Sequence, residues 1–338
     1  MIRKVLLYSY GITAPRPVSA KLKRFIVVEH IHRSEGDYNL YFVYKPRGKN
    51  SLELLSRLER ASKDRVSIAG IKDTAADAFF YVASRNRLPK MLGGAKLYFI
   101  GKNAPLSPAN NKGNTFRLSM STGLIGKDKV KRLCRLPRVF YMPNYYGPQR
   151  FGLVRPVNHV MGKQILLQRN VLLWLYLKSY YRRKAHFPPP MEQSMFGKAR
   201  RTFNVNPAFP SRVFDLVRES YYSYLFNLIL SQAGLPPGIY TRQERIPLDI
   251  LDEASSWCGN SIVRTYRLKH NLASHYIGEI ESFEGLHPRA GLLDRRPVIV
   301  PLCNYLCKES NGEVILTFRL PSGSYATTFL LNMGIIVE

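Results

Sequence analysis

The sequence of 338 residues predicts an α+β fold. Strand-like segments alternate with helical segments along the chain, and several of the strands look antiparallel, which favours an α+β sheet domain over a doubly wound one. The length exceeds that of a typical single domain, so we expect two domains or one domain with a large insertion.

The first part of the chain is rich in strand signals. Residues 21–31 and 37–45 predict two adjacent strands, the first through a β-branched run and the second through alternation. Asn50 precedes Glu53 at the spacing of a helix cap, and leucines at helical spacing follow it. We expect this helix to lead into a short apolar run over residues 66–70.

The remaining elements follow the same reasoning. Alternation and helical periodicity predict strands over 96–101, 114–121 and 314–320, a short basic helix over 127–136, and long amphipathic helices over 165–181 and 210–232. After the last strand, Gly323 and Ser324 precede an apolar periodic run, which is typical of a loop that leads into a helix.

The charge balance points to a polyanionic partner. Lys and Arg number 51 against 23 Asp and Glu, which leaves a formal net charge of +28. An excess of this size favours nucleic acid, bound through phosphate contacts and counterion release, with an anionic membrane surface as the alternative. No run of about 18 apolar residues could span a bilayer.

The cysteines and histidines do not have the spacing of a metal site. We interpret Cys134, Cys258, Cys303 and Cys307 as small buried hydrophobic residues in a reducing cytoplasm, and the histidines of the region 235–290 as structural. The first residues lack the apolar core of a signal peptide. The sequence therefore predicts a cytoplasmic protein without a metal site.

Asp73 is the candidate reactive group. It follows Gly70, Ile71 and Lys72 at the end of one apolar run, and a second apolar run begins soon after it. This arrangement can display a carboxylate at a strand end, although an ordinary turn aspartate fits the same residues.

Two further segments fit RNA recognition. Residues 143–152 combine aromatic rings with Asn, Gln and Arg, as the binding of a flipped base requires, or they form a turn with its aromatics in the core. A basic loop follows, which either binds phosphates or is a solvated connector. Its cations are Arg182, Arg183, Lys184, Lys198, Arg200 and Arg201.

These segments resemble the TruD family of tRNA pseudouridine synthases. Gly70–Asp73 is similar to the G-x-K-D motif that carries the catalytic aspartate of that family. Asn144–Gly152 is similar to N-Y-[FY]-G-x-Q-R-F-G, and Leu320–Thr327 to L-P-[AS]-G-S-[FY]-A-T. Shorter matches occur in the family's order at Phe25–Glu29, Lys112–Phe116 and Leu225–Asn227.

The resemblance implies a fold and a reaction. The fold is the pseudouridine synthase catalytic domain, with a mixed and largely antiparallel sheet, over 1–152 and 301–338. A family-specific, helix-rich and basic α+β domain is inserted over 153–300, with RNA in the cleft between the two. The reaction is the isomerisation of a flipped uridine to pseudouridine, without cofactor. The substrate is tRNA, at uridine 13, and the protein is a monomer.

The resemblance also implies roles for single residues. Asp73 is the catalytic residue, and Lys72 either supports its ionised form or binds phosphate. Lys112 and the basic loop contact the RNA backbone. The substrate-binding residues are Phe25, Lys72, Asn144, Tyr146, Gln149, Arg150 and Tyr325.

Two departures from the family pattern keep an alternative open. Ala78 and Phe80 stand where the family has Thr and Gln, and residues 103–111 lack the family's basic residues. The chain could therefore be an RNA-binding protein of the same fold with weak or lost activity. A metal-dependent nuclease or a zinc deaminase would need clustered carboxylates or an H-x-E with P-C-x-x-C, and neither pattern occurs in the sequence.

Overall fold

A computed structural model of the chain describes most of its residues. The described residues are 18–151, 158–167, 212–235, 238–241, 246–269, 272, 275 and 296–337. The chain divides into two compact units. The first, the sheet unit, comprises residues 14–144, 237–267 and 297–338; the second, the helical unit, comprises residues 1–13, 145–236 and 268–296.

The described strands belong to a large mixed sheet and a small two-stranded one. In chain order the strands are β1 (Val18–Ala20), β2 (Leu22–Ile31), β3 (Tyr38–Lys45), β4 (Ser67–Ile68), β5 (Asp77–Ser84), β6 (Met91–Leu92), β7 (Ala95–Asn103), β8 (Asn111–Ser121), β9 (Phe140–Pro143), β10 (Leu251–Cys258), β11 (Ser261–Leu268), β12 (Ile299–Ser310), β13 (Glu313–Leu320) and β14 (Ile335–Val337). The large sheet has the order β10-β11-β12-β13-β8-β2-β5-β3-β7-β6, with β4 on β5 and β9 on β12.

Seven α-helices lie within the described residues. They are α1 (Ser51–Ser62), α2 (Thr122–Ile125), α3 (Lys127–Cys134), α4 (Pro148–Phe151), α5 (Asn158–Leu166), α6 (Arg212–Gln232) and α7 (Ala326–Asn332). Asn50 caps α1 as predicted, because its side chain accepts hydrogen bonds from the backbone N–H groups of Leu52 and Glu53. No helix of the described residues is long and apolar enough to cross a membrane.

The centre of the large sheet is a split β-α-β arrangement. Strand β5 pairs in parallel with β2 and antiparallel with β3, so it lies between them. The prediction that the first two strands are adjacent is therefore wrong. Helix α1 leads from β3 to β4, and β5 pairs antiparallel with both of these strands. The α+β class with a largely antiparallel sheet is confirmed, since the pairs β2–β8, β8–β13 and β12–β13 are all antiparallel.

Two buried clusters lie in the sheet unit. One joins Phe25 and Phe116 to Phe318 and Phe329, which brings β2, β8, β13 and α7 together. The other joins the apolar face of α1, including Leu55 and Leu58, to side chains of β3 and β5. Most predicted elements are confirmed within a few residues, including the strands at 22–31 and 313–320. The hairpin of β10 and β11 was not predicted.

The helical unit is built on close packing between α5 and α6. A Cβ added at Gly162 would lie 2.4 Å from the Val217 carbonyl oxygen, so glycine permits this approach. Tyr145 is buried and its hydroxyl donates to the Leu235 carbonyl at 2.7 Å. The helix over 210–232 is confirmed, whereas most of the helix predicted over 165–181 lies outside the described residues.

The prediction for the cysteines is wrong in part. Cys134, which is exposed, forms a disulfide with Cys307 across 173 residues, so this pair does not consist of unpaired hydrophobic residues. Cys258 and Cys303 are free and buried as expected. The sequence could not show the pairing, because it depends on where α3 meets β12 in the fold.

Candidate active site

Asp73 lies half-buried on a tightly held loop of the sheet unit that connects β4 to β5. The Lys72 carbonyl accepts a hydrogen bond from the Ser51 hydroxyl at 2.7 Å, and the Thr74 carbonyl accepts one from the Gly48 backbone N–H at 2.8 Å. Oδ1 of Asp73 accepts from the Ala75 N–H at 2.8 Å, which closes an Asx turn. This bond uses one oxygen and leaves the other outside the turn.

Under this loop lies a buried ion pair between Lys72 and Glu29. The two side chains are 5% and 0% exposed, and the Lys72 ammonium donates to Oε1 of Glu29. The other oxygen, Oε2, accepts from the Tyr81 N–H at 3.0 Å, and Asn111 Nδ2 donates to Oε1 at 3.3 Å. The pair therefore connects the residue before Asp73 to β2, β5 and β8.

Gly70 makes room for the folded-back side chain of Lys72. A Cβ at Gly70 would lie 3.2 Å from the Lys72 ammonium nitrogen and 3.3 Å from Oε1 of Glu29. Both distances are tighter than ordinary contacts. One buried contact thus explains both the glycine and the lysine of the G-x-K-D segment. The aspartate is the next residue after the lysine.

Lys45 is a functional candidate that the sequence analysis missed. It is fully buried, and its ammonium donates to the carbonyls of Ala76 and Lys49, each at 3.0 Å. Burial lowers the pKa of Lys45, while the carboxylates of Asp73 and Asp77 act in the opposite direction. Tyr41, Val43 and Lys45 are alternate residues of β3 whose side chains are buried. This alternation in the sequence could have indicated that Lys45 is buried.

The other sheet-unit motifs meet the loop through β2 and β8. Glu29 of β2 pairs in register with Asn114, and Asn114 pairs with Leu320 of β13. Gly113 has a φ of +100°, and a Cβ there would lie 2.3 Å from the Leu320 carbonyl oxygen. Only glycine fits this position, so the segment at 112–116 and the loop after β13 are built against each other.

Besides Lys72, three of the predicted substrate-binding residues lie in the sheet unit. Phe25 is 5% exposed and belongs to the same core cluster as Ala76 of the loop between β4 and β5. Asn144 is buried, and its Nδ2 donates to the Pro297 carbonyl at 3.0 Å. Tyr325 is half-buried at the N-cap position of α7, where its carbonyl accepts from the Thr328 and Phe329 N–H groups.

Tyr146 and Arg150 belong to the helical unit. The Tyr146 backbone N–H donates to Asn227 Oδ1 at 2.8 Å, and the Arg296 guanidinium lies 3.7 Å from the centre of the Tyr146 ring. Arg150 donates to Ser223 Oγ at 3.0 Å and pairs with Glu219 at 2.9 Å. Both motif residues are thus anchored to α6, which carries the short match at Leu225–Asn227.

Several predicted RNA contacts remain predictions. The Lys112 ammonium lies 3.9 Å from the centre of the Trp257 ring, which is 38% exposed. The side chain of Gln149 lies outside the described residues. The same holds for the whole basic loop, namely Arg182, Arg183, Lys184, Lys198, Arg200 and Arg201.

The two residues that depart from the family pattern are core residues. Ala78 and Phe80 are 0% and 1% exposed, and both lie in the cluster formed with α1. Across the ranges that the structure describes, no group of three or more His, Cys, Asp or Glu side chains could hold a metal ion.

Comparison with known proteins gives one consistent family. The family profile of tRNA pseudouridine synthase D (TruD) matches residues 18–184. The chain is similar to proteins named probable tRNA pseudouridine synthase D from Pyrococcus abyssi (26% identity, covering 93% of this chain and 94% of the relative) and from Pyrobaculum arsenaticum (29%, covering 84% and 80%). It is also similar in fold to the crystal structure of a TruD protein from Methanosarcina mazei, with a TM-score of 0.51 at 20% identity over 96% of this chain and 95% of that one.

Proposed function

We propose that this chain is a member of the TruD family, and that it is an RNA isomerase that converts uridine to pseudouridine in tRNA. The proposal includes uridine 13 as the target nucleotide, and Asp73 as the catalytic residue. It also includes a cytoplasmic location, action as a monomer, and the domain assignment of 1–152 with 301–338 around an insertion over 153–300. The proposal is supported best by the held position of Asp73 in the described loop.

The proposed reaction rearranges bonds within one nucleotide. The C1′–N1 bond of uridine breaks, the base turns over, and a C1′–C5 bond forms, while the C5 proton leaves and N1 gains a proton. Because substrate and product are isomers, the reaction consumes no co-reactant. The Asp73 carboxylate acts as nucleophile toward C1′: a bond from its oxygen to C1′ replaces the C1′–N1 bond and breaks again as C1′ bonds to C5. It also acts as a proton carrier.

The surroundings of Asp73 suit this role. The loop is held at the carbonyls of Lys72, Thr74 and Ala76, so the carboxylate needs little reorganisation before it reacts. Burial lowers the pKa of the Lys45 ammonium, and the negative charges of Asp73 and Asp77 act on that pKa in the opposite direction. The target nucleotide must leave its stack, which costs a few kcal/mol, and be held by aromatic and edge contacts.

The test is to map pseudouridine in unmodified tRNA incubated with the purified protein and with Asp73→Asn. Asparagine can accept the same Ala75 hydrogen bond, so this variant keeps the Asx turn and removes only the carboxylate. We expect product with the unaltered protein and a loss of roughly 10²–10⁴-fold or more in rate with Asp73→Asn.

Asp37→Asn, at an exposed carboxylate beside β3, is the matched control and should leave the rate unchanged. Equal product from the unaltered protein and Asp73→Asn would refute the role of Asp73. Absence of product with every tRNA, together with salt-sensitive binding, would favour the inactive RNA-binding protein instead.

A further inference from the structure

The outer edge of β7 exposes three apolar side chains in a row. Tyr98 is 54% exposed, Phe99 58% and Ile100 38%, although strand alternation would turn every second side chain inward. The register pairs Tyr98 with Phe42 and Phe99 with Tyr41, so these two rings point to opposite faces of the sheet and both are exposed at its edge. Leu40 pairs with Gly101 and Tyr41 with Phe99, so Ile100 is the extra residue of a β-bulge.

This edge is open for most of its length. Strand β6 pairs only with Ala95 and Lys96, and no other strand of the described residues pairs with the outer side of β7. An open strand edge that carries exposed aromatic residues is a binding surface or an aggregation risk.

The groove beside this edge is strongly basic. It has a volume of about 1160 Å³, which exceeds the roughly 300–1,000 Å³ of small-molecule sites and suits an extended ligand. No carboxylate lines the groove among the residues that the structure describes. Its cationic residues are Arg85, Arg87, Lys90, Lys96 and Lys102.

The aromatic residues of the groove are preorganised. Tyr41 is buried, its hydroxyl accepts from the Leu88 N–H at 3.0 Å, and its ring meets the ring of Phe99 edge to face at 5.7 Å. Phe99 is therefore held from behind while more than half of it is exposed. Asn39 Nδ2 donates to the Arg85 carbonyl at 2.7 Å, which fixes the start of the basic turn after β5.

Exposed aromatic faces beside a run of cations match unpaired nucleotides. Bases stack on aromatic rings whatever their sequence, and phosphates pair with Arg and Lys. A second copy of this chain is a poor occupant, since each copy carries a net charge of +28. An acidic peptide would satisfy the cations but would not use the exposed rings as stacking platforms.

We propose that the β7 groove binds unpaired nucleotides of the RNA substrate away from the target uridine. The proposal rests on the proposed function. Asp73 precedes β5 and Arg85 follows it, and the eight residues of that strand place the two ends roughly 23 Å apart. The Arg85 end of the groove therefore contributes to RNA affinity away from the reacting nucleotide. Lys96 lies nearer the Asp73 end of β5, since it pairs with Tyr44 and Tyr44 pairs with Phe79.

The test compares two groove variants of the full chain with a matched control. Arg85→Glu/Arg87→Glu removes two phosphate partners, Phe99→Ala removes one stacking ring, and Lys131→Glu/Arg132→Glu reverses two exposed cations on α3 as the control. Fluorescence anisotropy measures the Kd for an unmodified tRNA transcript and for a 12-nucleotide oligouridine at several salt concentrations. Thermal unfolding checks that each variant is folded.

We expect the charge variant to raise the Kd for both RNAs by at least roughly 10-fold and to reduce the salt dependence of binding by about two phosphate contacts. Phe99→Ala should raise the Kd by roughly 5- to 100-fold with an unchanged salt dependence. In pseudouridine formation both variants should raise KM and leave kcat within about twofold. The control should do none of these.

A Kd in both groove variants equal to that of the unaltered protein would overturn the proposal. So would a result in which the groove variants weaken the binding of a labelled acidic peptide and leave the binding of RNA unchanged. A third measurement needs no variant: oligonucleotides with 4-thiouridine, crosslinked to the unaltered protein, should map to Tyr98 or Phe99, and crosslinks confined to other segments would contradict the proposal.

Failure of this proposal and failure of the proposed function are distinguishable. Normal pseudouridine formation with unchanged KM in the groove variants would reject the groove and leave the function standing. RNA binding that depends on the groove, in a protein that forms no pseudouridine, would reject the function and leave the groove standing.

Discussion

Replacement of Lys72 by methionine should destabilise the protein by about 3–5 kcal/mol. The Lys72 and Glu29 side chains are 5% and 0% exposed, so the substitution leaves a fully buried carboxylate without its cation. Glu29 would keep only the Tyr81 N–H and the Asn111 amide as partners, and neither carries a charge. The protein loses stability because the buried Glu29 carboxylate no longer has a cation beside it.

A double-mutant cycle separates this effect from general damage. Glu29→Gln alone should be destabilising, because it replaces the charged partner of a buried ammonium by an amide. In the background of Lys72→Met the same change should be stabilising, since it removes the uncompensated charge and keeps an oxygen for the Tyr81 N–H. The expected coupling between the two sites is roughly 2–3 kcal/mol.

The assay is urea unfolding of the full chain, with pseudouridine formation measured in parallel. Lys131→Met, at an exposed lysine on α3, is the control and should change the stability by less than about 0.5 kcal/mol. Additive effects of Lys72→Met and Glu29→Gln would refute the reasoning. So would a Lys72→Met protein of unchanged stability whose RNA binding is weaker, because that result would assign Lys72 to the substrate.

Three further predictions follow from single features. Gly113→Ala should cost at least about 2 kcal/mol in urea unfolding, because its Cβ would lie 2.3 Å from a carbonyl oxygen; Gly126→Ala, at a similar φ of +87° with nothing within 4 Å, measures the backbone strain alone and should cost less. Burial lowers the pKa of His159 from 6.5 to about 4, so the unfolded state binds the proton first as pH falls. The stability contributed by the neutral His159 is complete above pH 6.5, and about 3 kcal/mol of it is lost as pH falls to 4. The free energy of unfolding of His159→Phe should therefore fall less between pH 7.5 and 4.5 than that of the unaltered protein. An equal fall in both proteins would contradict this explanation. Reduction of the disulfide between Cys134 and Cys307 should lower the free energy of unfolding by up to about 5 kcal/mol, because the disulfide closes a long loop. The stability of Cys134→Ser should not change with reductant. An equal effect of reductant on both proteins would mean that the effect does not come from this disulfide.

The elements that the sequence predicted well are those whose signal is local. Strands β2, β7, β8 and β13 have clear alternation or β-branched runs, and α1 has both a cap and a periodic apolar face. The hairpin of β10 and β11 was missed because only scattered residues, such as Leu251, Cys258 and Tyr266, are buried, while the apolar Trp257 and Ile262 are exposed. Its strand character is imposed by pairing with β12.

Features that depend on contacts between distant segments could not be predicted from local sequence patterns. Glu29 lies 43 residues before Lys72, and neither residue marks the other as its partner. The position of β5 between β2 and β3 likewise depends on pairing with strands that are distant in the sequence. Lys45 is the instructive case, because the phase of β3 already placed a lysine on the inward face, where only a buried ammonium could result.

The positions of Ala78 and Phe80 bear on the choice between an active enzyme and an inactive relative. Successive residues of a strand point to opposite faces, so the two share one face of β5, where they pack with α1. The contacts that hold Asp73 come instead from Lys45, Gly48, Ser51 and the Asx turn, all of which are present. A change from polar to apolar residues on the core face alters packing under the helix and leaves the held carboxylate in place. The departures therefore do not favour loss of activity, and restoring Thr at 78 and Gln at 80 should lower stability without raising the rate of pseudouridine formation; a higher rate in that double variant would mean that these positions act on the substrate.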